Sequence, residues 1–204
     1  YGGFANLGVL YGEPVPAQQR KAGYREVNPV SILRIDDAEG TPIYEFNYPT
    51  AVRVLQPEYA YLITDILSDN AARVLTFGPD SPLKLDRPAA VKTGTTNDWR
   101  DNWTIGYTPD LVTGVWVGNA NNEEMKRSYG STAAAPIWHD FMIEVLKSTP
   151  PRAFDEPPGL ERAEVCVPSG LKPTNLCQNR YKEVFVQGTA PQKEDDMHQV
   201  FRID

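Results

Sequence analysis

Between Ala90 and Gly118 the chain carries three strand-length segments, Ala90–Thr96, Asn102–Tyr107 and Val112–Gly118, separated only by short polar runs. Pro109-Asp110 supplies a turn between the last two, since proline presets the backbone angle that a tight turn needs. These segments demand an antiparallel sheet, and a sheet must bury one face against another layer. Two apolar-periodic stretches offer that layer. Gln56–Ser68 repeats Tyr59, Leu62, Ile63, Ile66 and Leu67 at helical spacing, with Pro57 near its first turn. Ala134–Lys147 carries Ile137, Phe141 and Val145 four residues apart, adjoined by Trp138, Met142 and Leu146, and this stripe is expected to pack on the sheet. Imperfect alternation in Val115-Trp116-Val117 predicts a strand buried on both faces, with Trp103 and Trp116 in the core. Further upstream, 31–36 and 41–46 alternate around Asp37-Ala38-Glu39-Gly40, a hairpin pattern whose glycine can take a positive φ. The fold class is therefore α+β, an antiparallel sheet covered by helices.

A second constraint divides the chain. Between Ser148 and Pro158 four prolines remove amide donors and stop the preceding helix, so 149–158 reads as an extended linker. It separates 1–148 from a small tail, 159–204, in which Val165–Pro168 and Glu183–Val186 read as short strands and Lys193–Met197 as solvated loop. Both cysteines, Cys166 and Cys177, lie in this tail. On residues alone they are two separate thiols, a disulfide, or half of a zinc site, although neither His139 nor His198 stands at ligand spacing. The formal net charge of -7 argues against a nucleic-acid partner, which needs a basic stripe. No internal repeat, low-complexity tract or membrane-spanning apolar run is evident.

The chemistry concentrates in Val91-Lys92-Thr93-Gly94-Thr95-Thr96. A lysine places positive charge beside a reacting hydroxyl or a carboxylate, and threonine hydroxyls donate to a carboxylate. A glycine without Cβ lets a ligand backbone lie close to the strand. Period-2 geometry sends the Thr93 and Thr95 side chains to one face. Thr96 reads as β-branched filler, Arg100 and Asp101 as a surface or turn pair, and Trp99 as a rim residue.

Lys-Thr-Gly is one of three motifs of serine acyl-transfer enzymes that act on D-Ala-D-Ala peptides and β-lactams. Its flanks, Arg87-Pro88-Ala89-Ala90-Val91 and Asn97-Asp98-Trp99-Arg100-Asp101-Asn102-Trp103-Thr104-Ile105-Gly106-Tyr107-Thr108-Pro109, extend the match. With Leu111–Asn119, Ala133–Trp138, Ala71–Gly78 and the opening 1–9, this sequence resembles the transpeptidase domain of class A (bifunctional) penicillin-binding proteins over most of 1–150. The resemblance implies the C-terminal part of a penicillin-binding, β-lactamase-like fold.

Two apparent companion motifs read as decoys. Ser81-Pro82-Leu83-Lys84 imitates Ser-x-x-Lys, but that motif needs a helix to bring the lysine beside the serine, and Pro79 and Pro82 make this segment a loop. Ser68-Asp69-Asn70 imitates Ser-x-Asn but closes a helix, and it precedes the supposed nucleophile, the reverse of the family's order. The resemblance therefore implies that the acylated serine, its lysine and the true Ser-x-Asn belong to an upstream remainder. This chain would be inactive alone.

The implied activity is that of a serine-type D,D-transpeptidase cross-linking peptidoglycan stem peptides through an acyl-enzyme. Lys92 would relay the leaving-group proton, Thr93 and Thr95 would bind the substrate carboxylate, and the Thr95 amide would line the oxyanion hole. Gly94 and Trp99 would complete the substrate site. Implied partners are stem peptides, β-lactams and the upstream remainder, which would carry a glycosyltransferase domain and the only membrane anchor. No cofactor or metal is implied. The implied location is the extracytoplasmic face of the bacterial membrane, where thiols oxidise, and this favours a Cys166–Cys177 disulfide. A non-catalytic cell-wall interaction module, or a D,D-carboxypeptidase or β-lactamase relative, are the alternatives.

Overall fold

A computed structural model describes residues 2–24, 27–30, 32–47 and 50–200. The readings that touched Tyr1 and Ser31 fall outside the described residues. The chain divides into two compact units, Tyr1–Phe154 and Asp155–Asp204, the division falling inside the proline-rich segment.

The first unit opens with a short helix α1 (Gly2–Ala5) and a sheet of three strands, β1 (Val9–Pro14), β2 (Val27–Pro29) and β5 (Thr50–Arg53), with β1 in the centre. Between β2 and β5 stands the separate hairpin of β3 (Arg34–Asp36) and β4 (Pro42–Glu45), as the alternation predicts. Gly40 turns it at φ 83°, and the Asp37 carboxylate accepts from the Glu39 and Thr41 amides. Helix α2 (Pro57–Ser68) begins on Pro57, and α3 (Asn70–Phe77) follows after one residue. That residue, Asp69, closes α2 and caps α3, its carboxylate accepting from Ala71 N at 2.8 Å and Ala72 N at 3.0 Å. The second sheet runs β6 (Ala90–Thr95), β7 (Asp101–Tyr107), β8 (Val112–Gly118), all antiparallel, with β7 central. Helix α4 (Ala134–Leu146) packs across β7 and β8.

Three burial expectations are corrected. Along α4 the buried residues are Ala134, Ala135, Trp138, Met142 and Leu146, while Ile137, Phe141 and Val145 are about half exposed. The four-residue spacing was real but belonged to the outer face; the inner face is set one residue on, where Trp138 lies against Gly106. A Cβ at Gly106 would stand 2.4 Å from the indole, so only glycine admits this approach. Likewise α2 buries Ala60, Tyr61 and Thr64 and exposes Tyr59 and Ile66, the Thr64 and Tyr107 hydroxyls bonding at 2.7 Å. Nor is β8 buried on both faces. Its residues alternate, and Trp103 and Trp116, opposite one another across β7 and β8, are each more than two-fifths exposed. The Trp116 indole N–H donates to Asp101 Oδ1 at 2.8 Å, which gives the ring a polar anchor at the surface. The core is built instead from Leu83, Leu85, Ala89, Val91, Ala135, Trp138, Met142 and Leu146. Each large member contributes about 1.5–3 kcal/mol by burial.

The second unit is a hairpin-like pair, β9 (Leu160–Cys166) and β10 (Arg180–Val186), longer than the short strands expected and starting five residues earlier for β9. Cys166 and Cys177 form a disulfide across the connection. Closing a loop of this size stabilises a domain by about 2–4 kcal/mol. The segment expected as solvated loop is instead tied in: Lys172 and Glu194 form a parallel bridge, and Asp195 is buried.

The phase of α4 is testable. Trp138→Ala should cost about 3–5 kcal/mol in denaturant unfolding, and Ile137→Ala less than about 1 kcal/mol. Equal losses would put the wrong face of the helix inward.

Candidate active site

The Lys-Thr-Gly segment is β6 itself, and among the described residues β6 pairs on one side only, with β7. Antiparallel residues alternate between bonding the neighbour and facing away. Thr96 N donates to Asp101 O across the ladder at 3.0 Å, so the even-numbered residues bond inward. The backbone groups of Val91, Thr93 and Thr95 consequently face the open edge. Two side chains already use that edge. Arg73 Nη2 donates to Val91 O at 3.3 Å, and Lys92 Nζ donates to Thr93 O at 2.5 Å.

A cleft of about 230 Å³ runs along this edge, lined by Ile66, Leu67, Arg73, Leu83, Lys92 and Thr93 among others. Its wall opposite β6 comes from α2 and α3. Arg73 bridges the two walls, donating also to Leu67 O and to Asn70 Oδ1 at 2.7 Å. Burial pushes its guanidinium below the ordinary pKa, and the charge of Asp69 opposes that. Nothing in the sequence near Lys92 announced Arg73, because the contact spans 18 residues.

Thr93 and Thr95 share a face, as period-2 geometry requires, but their surroundings differ. Thr93 is half-buried and lines the cleft. Thr95 is exposed, and its Oγ1 accepts the Gly130 amide at 3.1 Å. Gly130 is buried in the connection from β8 to α4, where its carbonyl accepts from Thr104 Oγ1 at 3.2 Å and Ala135 N at 2.8 Å. A Cβ there would stand 2.6 Å from Gly94 O and 2.7 Å from Trp103 O, both backbone atoms that cannot swing aside. Beside it, Asn102 Nδ2 donates to Ser128 Oγ at 2.6 Å. The loop is thus latched onto the end of β6 and β7. A hydroxyl accepts twice and donates once, so the Gly130 bond leaves the Thr95 hydrogen to be donated elsewhere. Sequence reasoning missed Gly130, whose polar flanks Tyr129 and Ser131 mark only a loop.

Gly94 presents the opposite situation. A Cβ there would meet only Trp103 Cβ at 3.8 Å, an ordinary contact. The protein's own packing does not require glycine at this position. Trp99 does not line the cleft; it follows Asp98 in a left-handed turn, φ 59° and 53°, and stands edge-on to Tyr129 at 6.4 Å. Thr96 is no strand filler, since it lies beyond β6 and its hydroxyl accepts the Asp101 amide at 2.8 Å. Arg100 and Asp101 do not pair: Arg100 binds Glu124 at 2.9 Å while Asp101 holds Thr96 and Trp116.

Neither decoy serine is poised for attack. Ser81 is buried, and its Oγ accepts the Leu83 amide at 3.2 Å in a turn. Ser68 ends α2 and donates to Asp65 O at 3.1 Å.

An antiparallel sheet with helices against it and Lys-Thr-Gly on an open edge strand defines the class: a penicillin-binding-protein fold. Two solved structures share it. The crystal structure of penicillin-binding protein 1A from Haemophilus influenzae superposes with a TM-score of 0.70 over 95% of this chain and 32% of that one, at 23% identity. Penicillin-binding protein PonA1 from Mycobacterium tuberculosis gives 0.55 over 77% of this chain and 39% of that one, at 25% identity. Residues 156–200 match the family model "Penicillin-binding protein 1A, C-terminal domain". Penicillin-binding protein 1A of Pseudomonas aeruginosa is 35% identical over 155 residues, covering 74% of this chain and 18% of that protein. That of Aquifex aeolicus is 36% identical over 168 residues, covering 81% and 22%. The chain belongs to the class A penicillin-binding proteins and corresponds to their C-terminal part. It spans about a fifth of the length of the curated relatives it matches.

The latch has a direct test. Gly130→Ala should lower stability by about 1–3 kcal/mol and shift the Gly94 and Trp103 amide resonances. An unchanged spectrum at those two residues would mean that the loop does not rest on them.

Proposed function

We propose that this chain is the Lys-Thr-Gly-bearing part of a peptidoglycan D,D-transpeptidase, a serine acyl-transferase that cross-links stem peptides and is acylated by β-lactams. The observation that carries this reading is the one-sided pairing of β6. Its free edge leaves the backbone of Thr93 and Thr95 unpaired by any strand among the described residues, with Thr93 lining a cleft, and an extended peptide can add there as a further strand. Gly94 supports the same reading, because an absent side chain that packing does not need is available to a ligand lying on the strand.

In the reaction a serine of the upstream remainder attacks the penultimate D-Ala carbonyl. Terminal D-Ala leaves, and an amine of a second stem peptide takes the acyl group. Thr95 N–H, facing outward, stabilises the developing oxyanion. One such donor is worth about 3–4 kcal/mol in the transition state. The Thr95 hydroxyl, which accepts from Gly130, donates to the substrate carboxylate, with Thr93 beside it. Lys92 is exposed, reaches the same edge, and relays the leaving-group proton once its ammonium leaves Thr93 O.

The upstream remainder also has surface to meet. The outer edge of β8 is unpaired among the described residues, and Ile66, Ile137, Phe141 and Val145 form exposed apolar surface on α2 and α4. Among the described residues no helix is long and apolar enough to cross a membrane. The glycosyltransferase domain and the anchor belong to that remainder. The Cys166–Cys177 disulfide accords with an extracytoplasmic location.

A fluorescent penicillin should label the intact parent and leave this 204-residue chain unlabelled. In the parent, Lys92→Ala should slow acylation by roughly 10²–10⁴-fold, the range for a lost acid–base group, with an unchanged melting temperature. Labelling of the isolated chain at Ser81, or full acylation by the Lys92→Ala parent, would overturn the assignment.

A further inference from the structure

The cleft beside β6 is crossed at one end by a residue that the acyl-transfer chemistry leaves without a role. Arg73 reaches it from α3. Its Nη2 donates to Leu67 O, near the end of α2, and also to Val91 O on the open edge of β6, the second bond at 3.3 Å. A single nitrogen therefore touches both walls. Nη1 donates to Asn70 Oδ1 at 2.7 Å, which fixes the plane of the guanidinium.

Helix capping accounts for part of this arrangement. The last carbonyls of a helix lack intrahelical donors, and a nearby arginine can take one of them. The bond to Val91 O lies outside that need. It occupies an acceptor with which an added strand would pair, and it fills the gap that strand would enter. Paired strands lie about 4.7–4.9 Å apart, so a gap already spanned by one nitrogen admits no further backbone. Charge acts in the same direction. Lys92 and Arg73 set two cations beside the cleft against the one carboxylate of Asp69, which is engaged by the Ala71 and Ala72 amides. A chain that ends there in a free carboxylate is attracted.

The direction of the ligand comes from the transpeptidase reading, on which this inference rests. With the reacting carbonyl on Thr95 N–H and the carboxylate on the Thr93 and Thr95 hydroxyls, the ligand runs antiparallel to β6. Its C-terminal end then points towards Val91. A chain that continued would pass Thr93 and meet Arg73. We propose that Arg73 is a specificity-determining residue, an end stop that restricts the site to peptides whose chain terminates inside the cleft.

The test uses the intact parent and two synthetic donors. One ends in D-Ala-D-Ala; the other carries three further glycines, long enough to reach Val91. Attack at the same D-Ala carbonyl breaks the same amide bond in both. It releases D-Ala from the first and D-Ala-Gly-Gly-Gly from the second, each leaving as the amine, and mass spectrometry of these products gives kcat/KM for each donor. The unsubstituted parent should prefer the shorter donor. Arg73→Met, which keeps an unbranched stem but no donor, should raise the ratio of extended to unextended kcat/KM at least about tenfold. Arg73→Lys keeps the charge but lacks the planar fork, and the ratio should rise there too. Melting temperatures establish folding, and the lysine variant decides if the methionine variant does not fold. The end stop is overturned if the unsubstituted parent uses both donors equally, or if a folded Arg73→Lys parent keeps the original ratio. Penicillin labelling separates the two levels. A parent that labels, with a ratio indifferent to both substitutions, overturns the end stop alone, whereas a parent that no penicillin acylates overturns the transpeptidase reading and this inference with it.

Discussion

One constraint organises the first unit: β6 bonds to β7 and to no other strand among the described residues. An unpaired edge is a liability in a soluble protein, because its amides and carbonyls invite any extended chain to pair. Here the edge is managed rather than eliminated. Arg73 takes Val91 O, Lys92 takes Thr93 O, and the walls of α2 and α3 keep the cleft narrow. What remains on the open edge, beyond the cleft, includes the outward-facing amide of Thr95.

Rigidity at that point comes from behind the strand. Gly130 sits on Gly94 and Trp103 so closely that no side chain fits, and its amide sets the Thr95 hydroxyl. The same residue takes Thr104 Oγ1 and the first turn of α4 on its carbonyl, so the loop, the sheet and the helix share one small junction. A donor that is already oriented costs no reorganisation when a ligand's charge appears, which is the physical content of preorganisation. Stability and site geometry thus meet at a glycine outside the motif.

Much of this was legible in the residues. The strands β6 to β8, their antiparallel order and the hairpin around Gly40 follow from local alternation and turn chemistry, which need no tertiary knowledge, whereas the sheet of β1, β2 and β5 was not read from the sequence. The decoy serines were exposed by prolines and by a helix end. Side-chain phase was not legible. On α4, apolar residues occupy both the 137-141-145 and the 138-142-146 rows, so periodicity could not choose between them; the fit of Trp138 onto Gly106 chose. Trp103 and Trp116 look like core by composition, yet a ring with a polar anchor such as Asp101 can lie on a surface. Contacts that join distant segments, Arg73 to Val91 and His198 to Cys166, have no local signature at all.

The central claim is that the outer edge of β6 receives the ligand, with the Thr95 amide on its reacting carbonyl. The most direct measurement is a crystal structure of the intact parent acylated by a penicillin. The expected acyl carbonyl oxygen lies about 3 Å from Thr95 N, with the ligand carboxylate on the Thr93 and Thr95 hydroxyls. A ligand bound away from β6, or a β6 whose outer edge is paired with another strand of the parent, would contradict the account.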